Sequence, residues 1–379
     1  MGITGLPENV RREAHLVHAM ARLDWNDELD SAVRSILAGP EPIDWAYLVD
    51  QCLRQHVMPL VGRNVSRHRL WHSGDGNYLI PYPWIFSAAY EANLRRNRSL
   101  FREFATIFRE LNKAGVRYAV RKGPVLCESI YRDVGIRRMN DLDLLVERDT
   151  GAEKVLADLG YAQGIVAENG CSVTPYARST KAFWALHVNN KLPYKKVTTD
   201  PDVVYFEVDL CVDLYQKNSS GAADMDAILD RAVTMDIGGE PAYVLAPEDH
   251  LLDLCLHLYK EAVSLLTIEW GKDLTLQKFL DVATSLKRSS RETLSNFCDA
   301  AQNGGARDVH FVLHHTRTLY PDAVPDFLIE ALAPDSMDHL DEYGSLDGKT
   351  ARWASGFLER LFDSNRERLV AEKSTVPHR

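Results

Sequence analysis

Apolar and polar positions change rhythm twice along the chain. From residue 8 to about 70, apolar residues recur at three- and four-residue spacings, the period of amphipathic helices, with breaks at Gly39-Pro40 and Pro42. A turn-rich stretch from Ser73 to Pro83 follows, and a long helix is predicted from Trp84 to Lys113, ended by Ala114-Gly115. From 116 to about 245, short runs with strand-like alternation are interleaved with short helical patterns. Beyond Pro247 the helical period returns in LLDLCLHLYKEA and persists to about Leu369, punctuated by Gly304-Gly305 and Pro334-Asp335. The pattern predicts an α+β chain with a helical domain over 1–113, a small mixed-sheet α/β core over 114–245 and a second helical domain over 246–379.

The chemistry concentrates in the middle region, in RKGPVLCESIYRDVGIRRMNDLDLLV from Arg121 to Val146. Asp141 and Asp143 fall in a run with apolar alternation, where a strand puts both carboxylates on one face with Cα atoms roughly 7 Å apart. On a helix the same pair would diverge by about 200°. Leu142, Leu144 and Val146 then face the core. The spacing recurs at Asp200/Asp202, where Pro201 marks a turn, and at Asp224/Asp226, which suits a helix start. Only the first copy follows a strand (114–120) that runs into Lys122-Gly123-Pro124. Glycine admits a close backbone approach, proline suits a first helical turn, and the helix N-terminus there is a phosphate seat. With Lys122, Arg137 and Arg138 nearby, an anion cradle stands beside paired carboxylates, as a nucleoside triphosphate with Mg²⁺ requires.

A third carboxylate is expected from VYFEVDLCVDLYQ (204–216), read as one long strand with Glu207, Asp209, Cys211 and Asp213 on a common face. Asp209 and Asp213 would lie about 13 Å apart, so only one can join the pair, and the spacing leaves either open. Among the histidines, His257 precedes Glu261 by four on an apolar helix and reads as a core residue. His187 sits in the strand-like FWALHVNN within reach of substrate, and His314-His315 lacks the zinc-helix spacing and reads as structural.

The string Lys-Gly-x-x-Leu from Lys122, Tyr131, Gly-Ile-Arg (135–137) and Met-x-Asp-Leu-Asp-Leu-Leu-Val (139–146) resembles bacterial nucleotidyltransferase-family proteins, distant members of the DNA polymerase β-like superfamily. Ile43-Asp44-Trp45, QHVMPL (55–60), LHVNN (186–190), VDLCVDL (208–214), VLAPEDHLLDLCLHLYKEA (244–262) and Phe279-Leu280-Asp281 match further blocks in order, over roughly residues 20 to 290. The resemblance implies a polymerase-β-like core and transfer of a nucleoside monophosphate from a triphosphate donor with release of pyrophosphate. It implies two Mg²⁺ ions, with Mn²⁺ as a substitute, on Asp141, Asp143 and Asp209 as metal-binding and catalytic residues. Lys122, the Gly123 amide, Arg137 and Arg138 would bind nucleotide phosphates, and His257 would face the cleft. The chain departs from the family where His-Trp is usual and Cys211-Val212 stands, which keeps Asp213 open as the third carboxylate.

Composition narrows the partners. The 379 residues are 45% hydrophobic, ample for a sizeable core, and the net charge of −10 disfavours a long nucleic-acid footprint. A small-molecule or peptide/protein acceptor is therefore expected. Arg95, Arg96, Arg98 and Arg102 on one helix and Lys191, Lys195 and Lys196 in a later loop read as solvated surface or as a wall of the triphosphate cleft. Six scattered cysteines without a CxxC pair suggest reduced thiols, and no apolar run is long enough to span a bilayer, so the cytoplasm is the expected location. Two rivals remain: a glycosyltransferase using Asp-x-Asp for a nucleotide-sugar, and a non-catalytic nucleotide-binding regulator or scaffold.

Overall fold

The computed structural model describes residues 6–148, 151–188, 190–215, 223–344, 348 and 350–370. Five helices come first: α1 (Arg12–Met20), α2 (Asp27–Leu37), α3 (Trp45–Arg54), α4 (Met58–Arg67) and α5 (Trp84–Lys113). Asn26 and Asp44 cap α2 and α3 by accepting the N–H of Leu29 and Tyr47. The 30-residue α5 ends where predicted, with Gly115 at φ +64° turning the chain away.

The middle region alternates β1 (Tyr118–Val120), α6 (Gly123–Leu126), β2 (Leu142–Val146), α7 (Ala152–Asp158), β3 (Ala162–Val166), β4 (Val173–Pro175), α8 (Arg178–His187), β5 (Tyr194–Val197), β6 (Tyr205–Cys211), α9 (Met225–Asp230), β7 (Val233–Ile237) and β8 (Glu240–Val244). The strands form one mixed eight-stranded sheet in the order β4-β3-β5-β6-β2-β1-β8-β7. β2 runs antiparallel to β1 and parallel to β6, and Gly238-Gly239, both at positive φ, close the β7–β8 hairpin. The third segment comprises α10 (Pro247–Val263), α11 (Leu265–Glu269), α12 (Leu276–Arg288), α13 (Arg291–Asn303), α14 (Ala306–Leu319) and α15 (Asp326–Leu332), then α16 (Phe357–Leu361) after a two-stranded pair, β9 (Glu342–Tyr343) with β10 (Ala351–Arg352). The observed class is α+β, with the sheet flanked by helices.

Two large apolar cores, with a small third one around Leu265, Ile268, Tyr343 and Trp353, hold the described residues together. One face of the sheet, carrying Leu142, Leu144, Val146, Val208 and Leu210, packs on Phe104, Phe108 and Leu111 of α5. Each phenylalanine so buried contributes roughly 1.5–3 kcal/mol. The second core joins both helical segments: Leu16 and Met20 of α1, Leu48 of α3 and Val61 of α4 share it with Phe279 and Val282 of α12 and Val309 and Leu313 of α14. Gly62 permits the α4–α5 crossing, since a Cβ there would come within 2.0 Å of the Phe86 carbonyl oxygen.

Four expectations are corrected. β6 ends at Cys211, and Asp213 lies in a turn, its Oδ1 accepting the Tyr215 N–H at 2.9 Å. An aspartate satisfied this way breaks the ladder locally. The FWALHVNN tract is helical over Arg178–His187, because a short alternating run is compatible with either period. The strand expected over 114–120 shortens to Tyr118–Val120, since Ala114-Gly115 close α5. The helical tail is interrupted by the β9–β10 pair.

Candidate functional site

The turn between β1 and α6 and the two strands β2 and β6 bring the predicted carboxylates together. Asp143 of β2 and Asp209 of β6 are register partners across the parallel ladder, where neighbouring strands lie about 4.8 Å apart. Asp141 immediately precedes β2, two residues from Asp143 and so on the same face. Burial, then the fields of Asp143 and Asp209, push the Asp141 carboxyl up to about 8. Burial also opposes ionisation of Asp143, but Lys122 and Arg121 outweigh it and hold that carboxyl below the ordinary aspartate value. Neighbouring carboxylates held at opposite ends of their range in this way are typical of sites that handle charge.

Lys122 supplies the nearest cation, its Nζ 3.1 Å from Asp143 Oδ2 in a nearly buried pair. Its backbone sits at φ +53°, ψ −112°, a conformation costing about 1–3 kcal/mol for a residue with a side chain. The strain is held in place by the preceding residue. Arg121 is buried and donates from Nε to Asp253 Oδ2 at 3.0 Å and from Nη2 to Asp253 Oδ1, tying the turn to α10. Gly123 is required by packing: a Cβ there would stand 2.9 Å from Met139 Sδ and 3.2 Å from Arg137 Nη1. α6 then passes into a π-helical turn over Cys127–Tyr131, which aims Tyr131 at Asp281 of α12.

The two arginines of the basic loop separate. Arg137, expected beside the phosphates, is buried and committed to Asp281, donating from Nε at 3.1 Å and from Nη2 at 2.7 Å. Arg138 is exposed. Arg96 of α5 reaches the same loop, donating to the Met139 carbonyl and to Asn140 Oδ1, and its charge senses both Arg138 and Asp141. Two of the other helix arginines neutralise the second Asp-x-Asp copy: Arg102 pairs with Asp200 and Arg95 with Asp202. Lys191, Lys195 and Lys196 pair with Glu153, Glu207 and Glu103.

α10 forms a polar flank in an otherwise apolar helix. His257 Nε2 lies 3.3 Å from Glu261 Oε1, Lys278 of α12 pairs with the same carboxylate, and burial lowers His257 to about 4. His257 is thus a neutral, partnered residue beside the site. Lys260 follows on that helix, its ammonium depressed by burial and by Lys122. The side chain of His187 lies outside the described residues. Sequence reasoning missed Asp253, Lys260 and the loop contacts of Arg96. A carboxylate inside LLDLCLH was the one available signal, since a buried acid in an apolar run requires a cation.

The hard carboxylate oxygens of Asp141, Asp143 and Asp209 suit Mg²⁺ in chemistry, and a divalent cation would offset the burial and the neighbouring negative charge that raise the Asp141 carboxyl. Among the described residues no three potential ligand side chains already converge on one point, and Asp143 is engaged by Lys122. Coordination therefore requires the side chains to turn.

The site thus sets carboxylates on adjacent parallel strands beside a strained, lysine-bearing strand–helix turn. The chain is a member of a nucleotidyltransferase family: the family model described as uncharacterised nucleotidyltransferase matches residues 41–321. Curated proteins gave no match. Among the described residues, no helix is long and apolar enough to cross a membrane.

Proposed function

We propose that this protein transfers a nucleoside monophosphate from a nucleoside triphosphate to a hydroxyl or similar group of a small molecule or a peptide/protein, releasing pyrophosphate. The observation that carries the reading is the register pairing of Asp143 with Asp209, with Asp141 on the same face. Asp141, Asp143 and Asp209 would hold Mg²⁺, which when bound neutralises triphosphate charge and acidifies an acceptor hydroxyl. The acceptor oxygen forms its bond to the α-phosphorus as the bond to the pyrophosphate oxygen breaks. Asp209 stands ready to take the hydroxyl proton or to orient the acceptor. Lys122 and Arg138 stabilise the charge that develops on the departing pyrophosphate. The net charge of −10 favours a small or peptide acceptor over long nucleic acid.

One observation favours a second reading, a nucleotide-binding regulator: buried Cys211 and Val212 stand where the resemblance leads one to expect His-Trp. A glycosyltransferase reading is weakened because the residues before β1 are helices and not an α/β layer.

Thermal denaturation of wild type and of Asp141→Asn/Asp143→Asn, with ATP, GTP, CTP or UTP and with or without Mg²⁺, tests the proposal. One triphosphate should stabilise the wild type only with Mg²⁺, by about 2.7 kcal/mol at a hundredfold excess over Kd, and the double variant should lose the effect. Equal stabilisation of both proteins would remove the carboxylates from the site. Binding without turnover across acceptors would favour the regulator.

A further inference from the structure

Arg137 and Arg138 are adjacent, yet only the second is presented to solvent. Arg137 is occupied by Asp281 and by the Arg138 carbonyl, which accepts from its Nη1 at 3.3 Å. Arg138 forms no ion pair among the described residues, but its peptide is gripped at both polar atoms by a single side chain. The Arg138 N–H donates to Gln277 Oε1 at 3.1 Å, and Gln277 Nε2 donates to the Arg138 carbonyl at 3.2 Å. Gln277 is itself buried and fixed on α12: its N–H donates to the Gln55 carbonyl at 3.2 Å, while Gln55 Oε1 accepts the N–H of Leu276 at 3.0 Å. Gln55 Nε2 in turn donates to the Leu361 carbonyl at 2.6 Å. From α5, Asn97 donates to the Arg137 carbonyl at 2.8 Å.

An exposed side chain gains nothing for packing from a backbone held this firmly. An arginine that must offer its planar fork to an anion does, because directional charge-assisted bonds need a fixed base. Lys260 adds a second cation without a carboxylate partner among the described residues. It is half-buried on the last turn of α10, seven residues beyond Asp253 and so on the helix face that Arg121 ties to the Lys122 turn. A partly dehydrated ammonium that forms no ion pair is unfavourable until an anion meets it.

We propose that Arg138 and Lys260 bind the polyphosphate of the donor, that Gln277 is a positioning residue setting the direction of Arg138, and that Arg137 is an anchor for the loop. This rests on the nucleotide-transfer reading above and names the groups that would hold its substrate.

Calorimetric titration of the full chain with each of the four Mg²⁺–triphosphates first identifies the one that binds wild type. Arg138→Ala and Lys260→Ala should each weaken it about tenfold. Gln277→Ala should weaken it severalfold alone and add nothing to Arg138→Ala, because the residue it positions is then gone. Gln277→Glu keeps the size and the acceptor for the Arg138 N–H, covers a Gln277→Ala variant that fails to fold, and should bind with intermediate affinity. Additive losses in the double variant would overturn the positioning role. Unchanged affinity in Arg138→Ala and Lys260→Ala would overturn the assignment while leaving nucleotide binding in place. A wild type that binds no triphosphate would instead overturn the underlying reading.

Discussion

Asp143 and Asp209 face each other as register partners on parallel strands β2 and β6, although 66 residues separate them in the chain. The pairing puts Asp209, and not Asp213, beside Asp143. Asp213, the other candidate, lies beyond the end of β6 and spends one oxygen on the backbone of its own turn.

The crowding has a consequence for stability. In metal-free protein burial, then the fields of Asp143 and Asp209, push the folded Asp141 carboxyl up to about 8, against an ordinary aspartate value of 3.8. The folded state thus holds a proton that the unfolded chain releases, and stability falls as pH rises from about 4 to about 8. Asp141→Asn removes this loss. Chemical denaturation in chelator at pH 8 should find the variant more stable by up to about 5 kcal/mol, with the gap closing near pH 4. A gap independent of pH would show that neither burial nor the neighbouring carboxylates hold the Asp141 proton in the folded state.

Arg121 and Asp253 are both buried and bonded at two points, joining the strained Lys122 turn to α10. Asp253→Asn leaves the guanidinium without its counter-charge and should cost about 3–5 kcal/mol in urea denaturation. A loss below 1 kcal/mol would mean that water reaches the pair.

At Gly123 the missing side chain makes room for the sulfur of Met139. Gly123→Ala should lower stability by about 1–3 kcal/mol through overpacking. Met139→Ala removes the colliding atom, so the double variant should lose less than the sum of the single losses. Strict additivity would place the strain elsewhere.

The helical part should be sensitive to acid. His339 Nδ1 faces the Ser336 carbonyl at 3.2 Å, which can only accept, so Nδ1 carries the proton and Nε2 accepts from His310 Nδ1 at 3.1 Å. Burial lowers His310 to about 4, against an ordinary 6.5. The unfolded chain takes up this proton first, so stability is complete above about pH 6.5 and is lost as pH falls toward 4. His310→Gln should flatten that limb by up to about 1.4 kcal/mol per pH unit, read from denaturation midpoints between pH 4.5 and 7. An unchanged slope would assign the acid sensitivity to other groups.

The sequence by itself determined the elements whose pattern is long or doubly marked. The α5 boundaries were legible because thirty periodic residues end at a glycine, and α10 because a proline opens an apolar helical run. Asp141 and Asp143 were legible because strand alternation is a local property. The tertiary structure alone decided what depends on distant segments meeting. Whether Arg137 or Arg138 is available turned on Asp281 and Gln277, more than 130 residues away. Which acid stands beside Asp143 turned on where β6 ends, and the Lys122 turn was tied to α10 only by the meeting of Arg121 with Asp253. Local periodicity records which face of an element is buried. Which charges meet across elements is set by the packing of the sheet against two helical segments that share one core.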